Sequence, residues 1–257
     1  MEILRSIENG VCTLTLNRPA VFNSFNQMMA FQLQEALDTC AIDETVRVVV
    51  IKGEGKAFCA GQDLAEATDP EGPELKSIVR EHYNPIILKI RELEKPVIAA
   101  VNGVAAGAGA NIALACDITI AKKSASFIQA FSKIGLIPDS GGTFFLPRLI
   151  GMQKALALMM TGDKVSAEEA EKLNMIYKVV EDDDFEEEIT KFATHLASMP
   201  TRGLGLTKKA VNLGLFNSLE DQLDVEERLQ TEAGETDDFA EGVNAFLQKR
   251  APVFKGR

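Results

Sequence analysis

Residues 95–115 read KPVIAAVNGVAAGAGANIALA, and this stretch predicts a buried strand, a glycine-rich turn and a helix in succession. Val97 to Val101 is a continuous apolar run, which is typical of a strand covered on both faces of a parallel sheet. Residues 105–115 are small and apolar and predict a helix. Because small residues allow close approach to a helix N-terminus, the free N–H groups there favour negative charge on a ligand.

The glycine-rich turn could also serve one of two different roles. Small residues at the start of a helix also permit tight packing against a neighbouring element, and the sequence leaves that alternative open. A dinucleotide-binding loop requires a third glycine, but Ile112 stands at that position after Gly107 and Gly109. The dinucleotide pattern is therefore incomplete, and the chain contains no Walker loop.

A second unusual turn, Ala60-Gly61-Gln62-Asp63, joins a predicted strand region to a helix. Gly61 permits a backbone conformation in which successive N–H groups point outward. An ordinary connecting turn has the same composition, so this segment alone does not decide between a binding loop and a simple connection.

A third segment, Ile137-Pro138-Asp139-Ser140-Gly141-Gly142-Thr143, precedes another predicted helix. Asp139 is placed to cap a helix that begins near Gly141, which is a common role of aspartate. The residues before it are apolar, namely Ile134, Leu136 and Ile137, and they favour a carboxyl group that faces an apolar cavity. Such surroundings raise the pKa of a carboxyl group and make it a proton carrier.

The rest of the chain alternates predicted strands and helices through its first three quarters. Asn9-Gly10 lies between two β-prone segments and predicts a hairpin, and Val46 to Ile51 reads as another buried strand. Beyond about Thr190 only helices are predicted, over 190–198, 203–215, 219–233 and 239–250. This order predicts an α/β core followed by a helical C-terminal region.

Composition narrows the class of protein. The 257 residues are 46% hydrophobic, enough for one large domain or two small ones. No apolar run approaches the roughly 18 residues of a membrane span, and the first residues show no secretory signal.

The four cysteines lie far apart without a C-x-x-C pair, so we expect no disulfide framework, no metal site and a cytoplasmic location. Neither histidine lies near a nucleophilic serine motif, which argues against a Ser-His-Asp triad.

The charge balance argues against nucleic acid as a partner. The chain carries 27 basic and 38 acidic residues, a formal net charge of −11. A phosphate backbone is repelled by such a protein unless a local basic patch is present, and the sequence shows none. The acidic stretches 181–188 and 220–241 are interpreted as solvated helix faces.

Together these segments resemble the crotonase, or enoyl-CoA hydratase/isomerase, superfamily over nearly the whole chain. The matching blocks are Leu16-Asn17-Arg18-Pro19, Asn23-Ser24-Phe25, residues 58–63, 95–103 and 135–143, and the tail from Glu241-Gly242 to Lys249-Arg250. The resemblance implies an α/β fold, a spiral of ββα repeats with a C-terminal helical trimerisation region. It divides the chain into a core at 1–200 that carries the acyl-CoA site and a helical region at 201–257.

The resemblance also implies a coenzyme A thioester as the substrate, with no further cofactor, in a homotrimer or a dimer of trimers. By motif position, the backbone N–H groups of Gln62 and Ala108 hold the thioester oxygen. Such donors stabilise the enolate that forms near a thioester carbonyl. Further contacts to the coenzyme or substrate are implied for Asn23, Ala60, Asp63 and Leu64, and for Phe246 and Lys249 from a neighbouring subunit.

Departures from the family pattern indicate the reaction. Hydratases of the superfamily use two glutamates, and this chain has Asn111 and Phe131 at those positions. Neither side chain exchanges a proton at neutral pH, so both groups needed for water addition are missing. Asp139 instead stands where isomerases of the superfamily carry their single catalytic acid.

Among the subfamilies, the chain most resembles the isomerases of phenylacetate degradation, which convert ring-1,2-epoxyphenylacetyl-CoA into oxepin-CoA. The shared stretches are residues 58–64, Tyr83-Asn84-Pro85, 104–110 and 130–139. A single-acid site could equally shift a Δ3 double bond to Δ2. A hydratase, and a non-catalytic member that binds acyl-CoA or RNA, are the remaining alternatives.

Overall fold

A computed structural model describes all residues from Met1 to Arg257. Its ten strands are β1 (Ile3–Glu8), β2 (Val11–Leu16), β3 (Val48–Gly53), β4 (Ala57–Cys59), β5 (Val97–Val101), β6 (Val104–Ala106), β7 (Ile118–Lys122), β8 (Ser126–Ile128), β9 (Lys164–Ser166) and β10 (Lys178–Val180). The first seven helices are α1 (Gln27–Ile42), α2 (Leu64–Ala67), α3 (Leu75–Ser77), α4 (Asn84–Glu92), α5 (Ala108–Ala115), α6 (Gly142–Ile150) and α7 (Met152–Thr161). The others are α8 (Ala167–Lys172), α9 (Phe185–Ala197), α10 (Thr201–Gly214), α11 (Leu219–Gly234) and α12 (Asp237–Leu247). A π-helical segment (Ile78–Tyr83) links α3 to α4, and 3₁₀ turns cover Pro19–Val21 and Ala130–Ile134.

The larger sheet has six strands in the order β1-β2-β3-β5-β7-β10. Only the β1–β2 pair is antiparallel, with Glu8 opposite Val11. Asn9 and Gly10 between them have φ values of 50° and 79°, and positive φ at both positions is the mark of a type I′ hairpin turn. The predicted hairpin is therefore confirmed.

The second sheet has four strands in the order β4-β6-β8-β9. Along the chain, β3, β5 and β7 lie in the first sheet, and each is followed by a strand of the second, namely β4, β6 and β8. Helices follow each such pair, so the chain repeats a ββα turn. This is the predicted α/β spiral of ββα repeats.

The larger sheet is covered on both faces, which explains its uninterrupted apolar strands. Val49 and Ile51 of β3 face the main core with side chains of α1, α4 and α5. Val48 and Val50 face the opposite way and pack with side chains of α9. A strand buried on two sides needs an apolar residue at every position, as the sequence predicts.

The region after β5 differs from the expectation of one helix over 105–115. Val104–Ala106 forms strand β6, which pairs with β4 and β8, and the helix starts at Ala108. Sheet pairing on both sides satisfies the backbone of these residues and outweighs the helical preference of alanine. Tight packing is also present, because a Cβ on Gly109 would lie 2.5 Å from the carbonyl oxygen of Cys59.

The C-terminal helices are attached to the α/β core by partly buried polar contacts. Lys208 of α10 donates from Nζ to the carbonyl of Ile90 at 2.6 Å and pairs with Asp117 at 2.8 Å. Arg47 donates to Thr201 Oγ1 at 2.8 Å and to the carbonyl of Met199 at 2.6 Å. Whether 1–200 and 201–257 are separate domains stays a prediction. No helix in the structure combines the length and apolar character required to cross a bilayer.

Candidate active site

The loop after β4 presents an N–H group that the chain itself does not use. The carbonyl of Gly61 accepts a hydrogen bond of 2.7 Å from the N–H of Phe25. In a trans peptide the C=O and N–H point in opposite directions, so the N–H of Gln62 points away from Phe25. It donates to no acceptor of the chain. Gly61 has φ +94°, a conformation that favours glycine.

The start of α5 lies against this loop. Ala108 is the first residue of the helix, so its N–H has no intrahelical acceptor. Gly107 before it has φ 53° and ψ −129°. A Cβ placed on Gly61 would lie 3.4 Å from the nitrogen of Ala108. The structure therefore brings the segments of Gln62 and Ala108 together, as expected for two donors to one oxygen.

Asp139 lies in the loop before α6 and does not cap that helix. The N-cap position belongs to Gly141, and no side chain bonds the first turn. The capping interpretation of Asp139 is therefore wrong. Its Oδ1 instead accepts a hydrogen bond of 2.9 Å from Ser140 Oγ. Burial raises the pKa of the Asp139 carboxyl, and the bond from Ser140 opposes that shift.

A hydrogen-bond chain ties the Asp139 loop to α5. Asn111 is completely buried, and its Nδ2 donates to the carbonyl oxygen of Asp139 at 2.8 Å. Its Oδ1 accepts from Gln129 Nε2 at 2.8 Å. A side chain on Gly142 would overlap the amide of Asn111, which shows how closely the loop and the helix pack. Asn111 follows Ala108 by one helical turn, so the carboxyl-bearing loop is fixed to the helix that presents the Ala108 amide.

The apolar residues that precede Asp139 in the sequence are not buried. Ile134, Leu136 and Ile137 are exposed in the single chain, Ile137 to 80%. These three side chains are therefore not part of the core of the single chain, whereas the Asp139 carboxyl itself is partly buried and its pKa is raised by that burial. Whether they line the cavity that the carboxyl faces stays a prediction. Phe131 is buried, and its ring would lie 3.9 Å from a Cβ on Gly107. It supplies an apolar face beside the start of the helix.

The other predicted contact residues lie in three different settings. Asn23 is buried, its Nδ2 donates to the carbonyls of Glu54 at 2.9 Å and Ala57 at 2.8 Å, and its Oδ1 accepts from the N–H of Arg18. Its side chain is therefore fully engaged inside the protein, and a contact of Asn23 with the coenzyme stays a prediction. Asp63 caps α2 and pairs with Arg18 at 2.9 Å. Ala60 and Leu64 are exposed on either side of the loop.

Phe246 and Lys249 lie outside this cluster within the single chain. Phe246 is 82% exposed at the end of α12, and Lys249 is exposed just beyond it. Helix α12 packs on α11. Contact of these residues with a site on a neighbouring subunit stays a prediction.

Tyr83 lies beside the Gln62 loop, although its sequence position did not predict a place in the site. Its hydroxyl donates to Gln62 Oε1 at 2.9 Å, and burial raises the pKa of this phenol well above its usual value. The only signal was the stretch Tyr83-Asn84-Pro85, whose residues stand far from Gln62 in the sequence. No group of three or more His, Cys, Asp or Glu side chains is arranged to hold a metal ion.

The chain is similar to known proteins over nearly its whole length. A family model described as enoyl-CoA hydratase/isomerase matches residues 6–257. The 1,2-epoxyphenylacetyl-CoA isomerase of Escherichia coli strain K12 is 50% identical over 99% of this chain and 98% of its own length. A Rhodobacter capsulatus protein named as a probable enoyl-CoA hydratase is 47% identical over 98% of this chain and 96% of its own length.

A solved structure shows the same fold. The crystal structure of an enoyl-CoA hydratase from Bacillus anthracis superimposes with a TM-score of 0.93 at 35% identity, and the match covers 100% of both chains. The sequence match and the shared spiral extend over the same residues, including the two amide-bearing segments. The chain is an enzyme of the enoyl-CoA hydratase/isomerase family, the crotonase superfamily.

Proposed function

We propose that the protein is an acyl-CoA isomerase that converts ring-1,2-epoxyphenylacetyl-CoA into oxepin-CoA. One observation carries the proposal: Asp139 is a partly buried carboxyl with a raised pKa, tied by Asn111 to the helix whose first amide lies beside the Gln62 loop. The 50% identical isomerase of Escherichia coli supports the choice of substrate.

Asp139 is the proton carrier in this proposal. Its carboxylate takes a proton from the carbon next to the thioester carbonyl, and the charge passes to the thioester oxygen. The N–H groups of Gln62 and Ala108 hold that oxygen, an interaction typically worth several kcal/mol in such sites. The carbon–carbon bond shared by the epoxide and the six-membered ring breaks as the electron pairs rearrange, which expands the ring to seven members with the epoxide oxygen in it. The proton returns to a carbon of the expanded ring, so substrate and product are isomers and no other reactant is consumed.

Replacement of both hydratase acids supports isomerisation over hydration. The Asn111 amide neither gains nor loses a proton at neutral pH, and both ends of it are engaged, with Gln129 and with the carbonyl of Asp139. Phe131 is buried and apolar. A water molecule therefore lacks the two carboxylates that would hold and activate it.

The remaining assignments follow from the family and from exposed surfaces. Ala60, Asp63 and Leu64 contact the coenzyme, and Phe246 and Lys249 reach it from a neighbouring copy in a homotrimer or a dimer of trimers. Large exposed apolar side chains on and beside the C-terminal helices favour such an assembly; they include Phe216, Leu219, Phe246 and Leu247. All four cysteines are buried and unpaired, in agreement with a cytoplasmic location.

Specificity constants on three thioesters test the proposal. The protein is incubated with the epoxide-CoA, with a 3-enoyl-CoA and with crotonyl-CoA, and kcat/KM is compared with that of the Asp139→Asn variant. We expect the highest value for the epoxide-CoA and almost no hydration of crotonyl-CoA. A higher value for the 3-enoyl-CoA assigns a double-bond shift as the main reaction, and efficient hydration of crotonyl-CoA overturns the isomerase assignment.

A further inference from the structure

Tyr83 combines complete burial with a polar contact at the proposed oxyanion loop. It ends the π-helical segment between α3 and α4, and such segments are frequent at functional sites. Its ring packs on Phe25 with centroids 5.8 Å apart. Its hydroxyl, which needs a partner when buried, donates to Gln62 Oε1 at 2.9 Å.

The other end of the Gln62 side chain is also held. Its Nε2 donates to Glu66 Oε2 at 3.1 Å. Glu66 Oε1 in turn accepts from the N–H of Gln27, the first residue of α1, at 2.9 Å. The side-chain amide of Gln62 therefore has one fixed orientation, with its oxygen toward Tyr83 and its nitrogen toward Glu66.

These contacts act on the peptide that carries the Gln62 N–H. The N–H of Phe25 fixes the carbonyl side of this peptide through Gly61. The hydrogen bond from Tyr83 holds the side chain of Gln62, whose Cα is attached to the nitrogen of this peptide. Rotation of the peptide plane would move that Cα and break the hydrogen bond. An oxyanion hole is effective because its donors are already oriented before charge develops.

We propose that Tyr83 is a positioning residue, which orients the oxyanion N–H of Gln62 by holding the Gln62 side chain. The inference depends on the proposed oxyanion role of that amide. A purely structural role for Tyr83, filling the space beside Phe25, is the alternative. The hydroxyl separates the two roles, because packing requires only the ring.

Tyr83→Phe removes the hydroxyl and retains the ring. The first readout is the separation of kcat from KM with the epoxide-CoA. The second is the infrared stretch of a bound acyl-CoA labelled with ¹³C at the thioester carbonyl, because stronger hydrogen bonds lower this frequency. We expect kcat to fall by about tenfold, KM to change by less than about threefold, and the bound band to move toward its position in water.

Two further variants complete the design. Gln62→Leu keeps the backbone N–H but removes the acceptor, so it should reproduce the effect of Tyr83→Phe, and the double variant should be little worse than either single one. Tyr177→Phe makes the same change at the other tyrosine of the chain, which is 62% exposed, and should leave both readouts unchanged.

The outcomes distinguish this inference from the proposed function. A lowered carbonyl frequency in the wild-type complex that persists in Tyr83→Phe, with normal kcat, overturns the role of Tyr83 and leaves the oxyanion hole intact. A wild-type complex without any lowered frequency overturns the oxyanion assignment, and the present inference with it. If Tyr83→Phe does not fold, Gln62→Leu tests the same hydrogen bond through the same two readouts.

Discussion

Asn111 Nδ2 donates a 2.8 Å hydrogen bond to the main-chain carbonyl of Asp139. Asn111, which we expect at the position of one glutamate of the hydratases, is thus an anchor for the loop of the proposed isomerase acid. A carboxylate at position 111 could not make this bond, because an ionised carboxylate has no proton to donate. An asparagine at position 111 therefore holds the Asp139 loop in a way that an ionised glutamate could not.

Asn111→Asp tests this anchor with an almost isosteric change. The variant keeps an oxygen for Gln129 but places a carboxylate against the Asp139 carbonyl. We expect about 1–3 kcal/mol lower stability in urea unfolding, because a buried bond is replaced by repulsion. We also expect about a tenfold lower kcat and no gain of hydration activity. Asn102→Asp is the matched control, since Asn102 bonds Gly53, Gly55 and Ala57 instead. Equal losses of kcat in the two variants would contradict a specific role for the Asn111 bond.

Asp139→Asn tests the proton carrier itself. The amide keeps the shape and the acceptor for Ser140 but cannot take a proton. We expect kcat to fall by at least about 10²-fold, the lower range for loss of a general acid–base group, while the affinity for acyl-CoA changes little. Steady-state activity assays measure kcat, and isothermal titration calorimetry measures the affinity for acyl-CoA. Activity close to that of the wild type would remove Asp139 from the mechanism.

Much of the fold can be predicted from the sequence because its signals are local and strong. The runs in β3 and β5 are apolar at every position, and the two faces of the sheet demand that pattern. The strands β6, β9 and β10 contain three residues each. They show no periodicity and depend on pairing with strands distant in the sequence, so they could not be predicted.

The candidate site also contains features that the sequence predicts and others that it does not. Positive φ at Gly61 and Gly107 is a backbone requirement that glycine signals directly. The bond from Tyr83 to Gln62 spans 21 residues and arises from a π-helical segment that has no sequence signature. The exposure of Ile134 and Ile137 could not be predicted either, because an apolar run does not reveal whether it faces the core or the surface.

Activity should depend on pH through the raised pKa of Asp139. The reaction requires the ionised carboxylate of Asp139, so kcat/KM should increase as pH rises through the pKa of this group. That pKa lies above about 3.9, the ordinary value for aspartate. The bond from Ser140 Oγ lowers the pKa of Asp139, so Ser140→Ala should move this acidic limb to higher pH. Measurement of the pH profile of both proteins checks the direction. A limb that stays in place in Ser140→Ala would show that the hydroxyl does not stabilise the carboxylate.

The raised pKa of Asp139 also predicts that the ionised carboxylate, which the reaction requires, lowers the stability of the folded protein. Burial raises the pKa of Asp139 in the folded state above that of the unfolded chain, so the folded state binds the proton more tightly. The contribution of this group to stability is greatest below the unfolded pKa and decreases as pH rises through the folded pKa. Asp139→Asn should therefore unfold at a higher temperature than the wild type at pH 7, and the difference should shrink as the pH falls toward 4. Thermal unfolding by circular dichroism at both pH values measures it; a constant difference would mean that charge burial is not its cause.

Gly61→Ala and Gly135→Ala form a matched pair that separates backbone strain from damage to the amide pair. Both glycines have positive φ, +94° and +74°, so alanine is strained at either position and should lower stability by about 1–3 kcal/mol. The methyl group added at Gly61 would lie 3.0 Å from the carbonyl oxygen of Ala106 and 3.4 Å from the nitrogen of Ala108. The methyl group added at Gly135 would have no neighbouring atom within 4 Å. The methyl group at position 61 should push apart the two segments that carry the oxyanion N–H groups. We therefore expect Gly61→Ala to lower kcat about 10²-fold, comparable to the loss of one oxyanion donor. Gly135→Ala should change kcat little. Because the strain is common to both variants, equal activity in the two would show that the contact between the Gly61 loop and the start of α5 does not matter for the reaction.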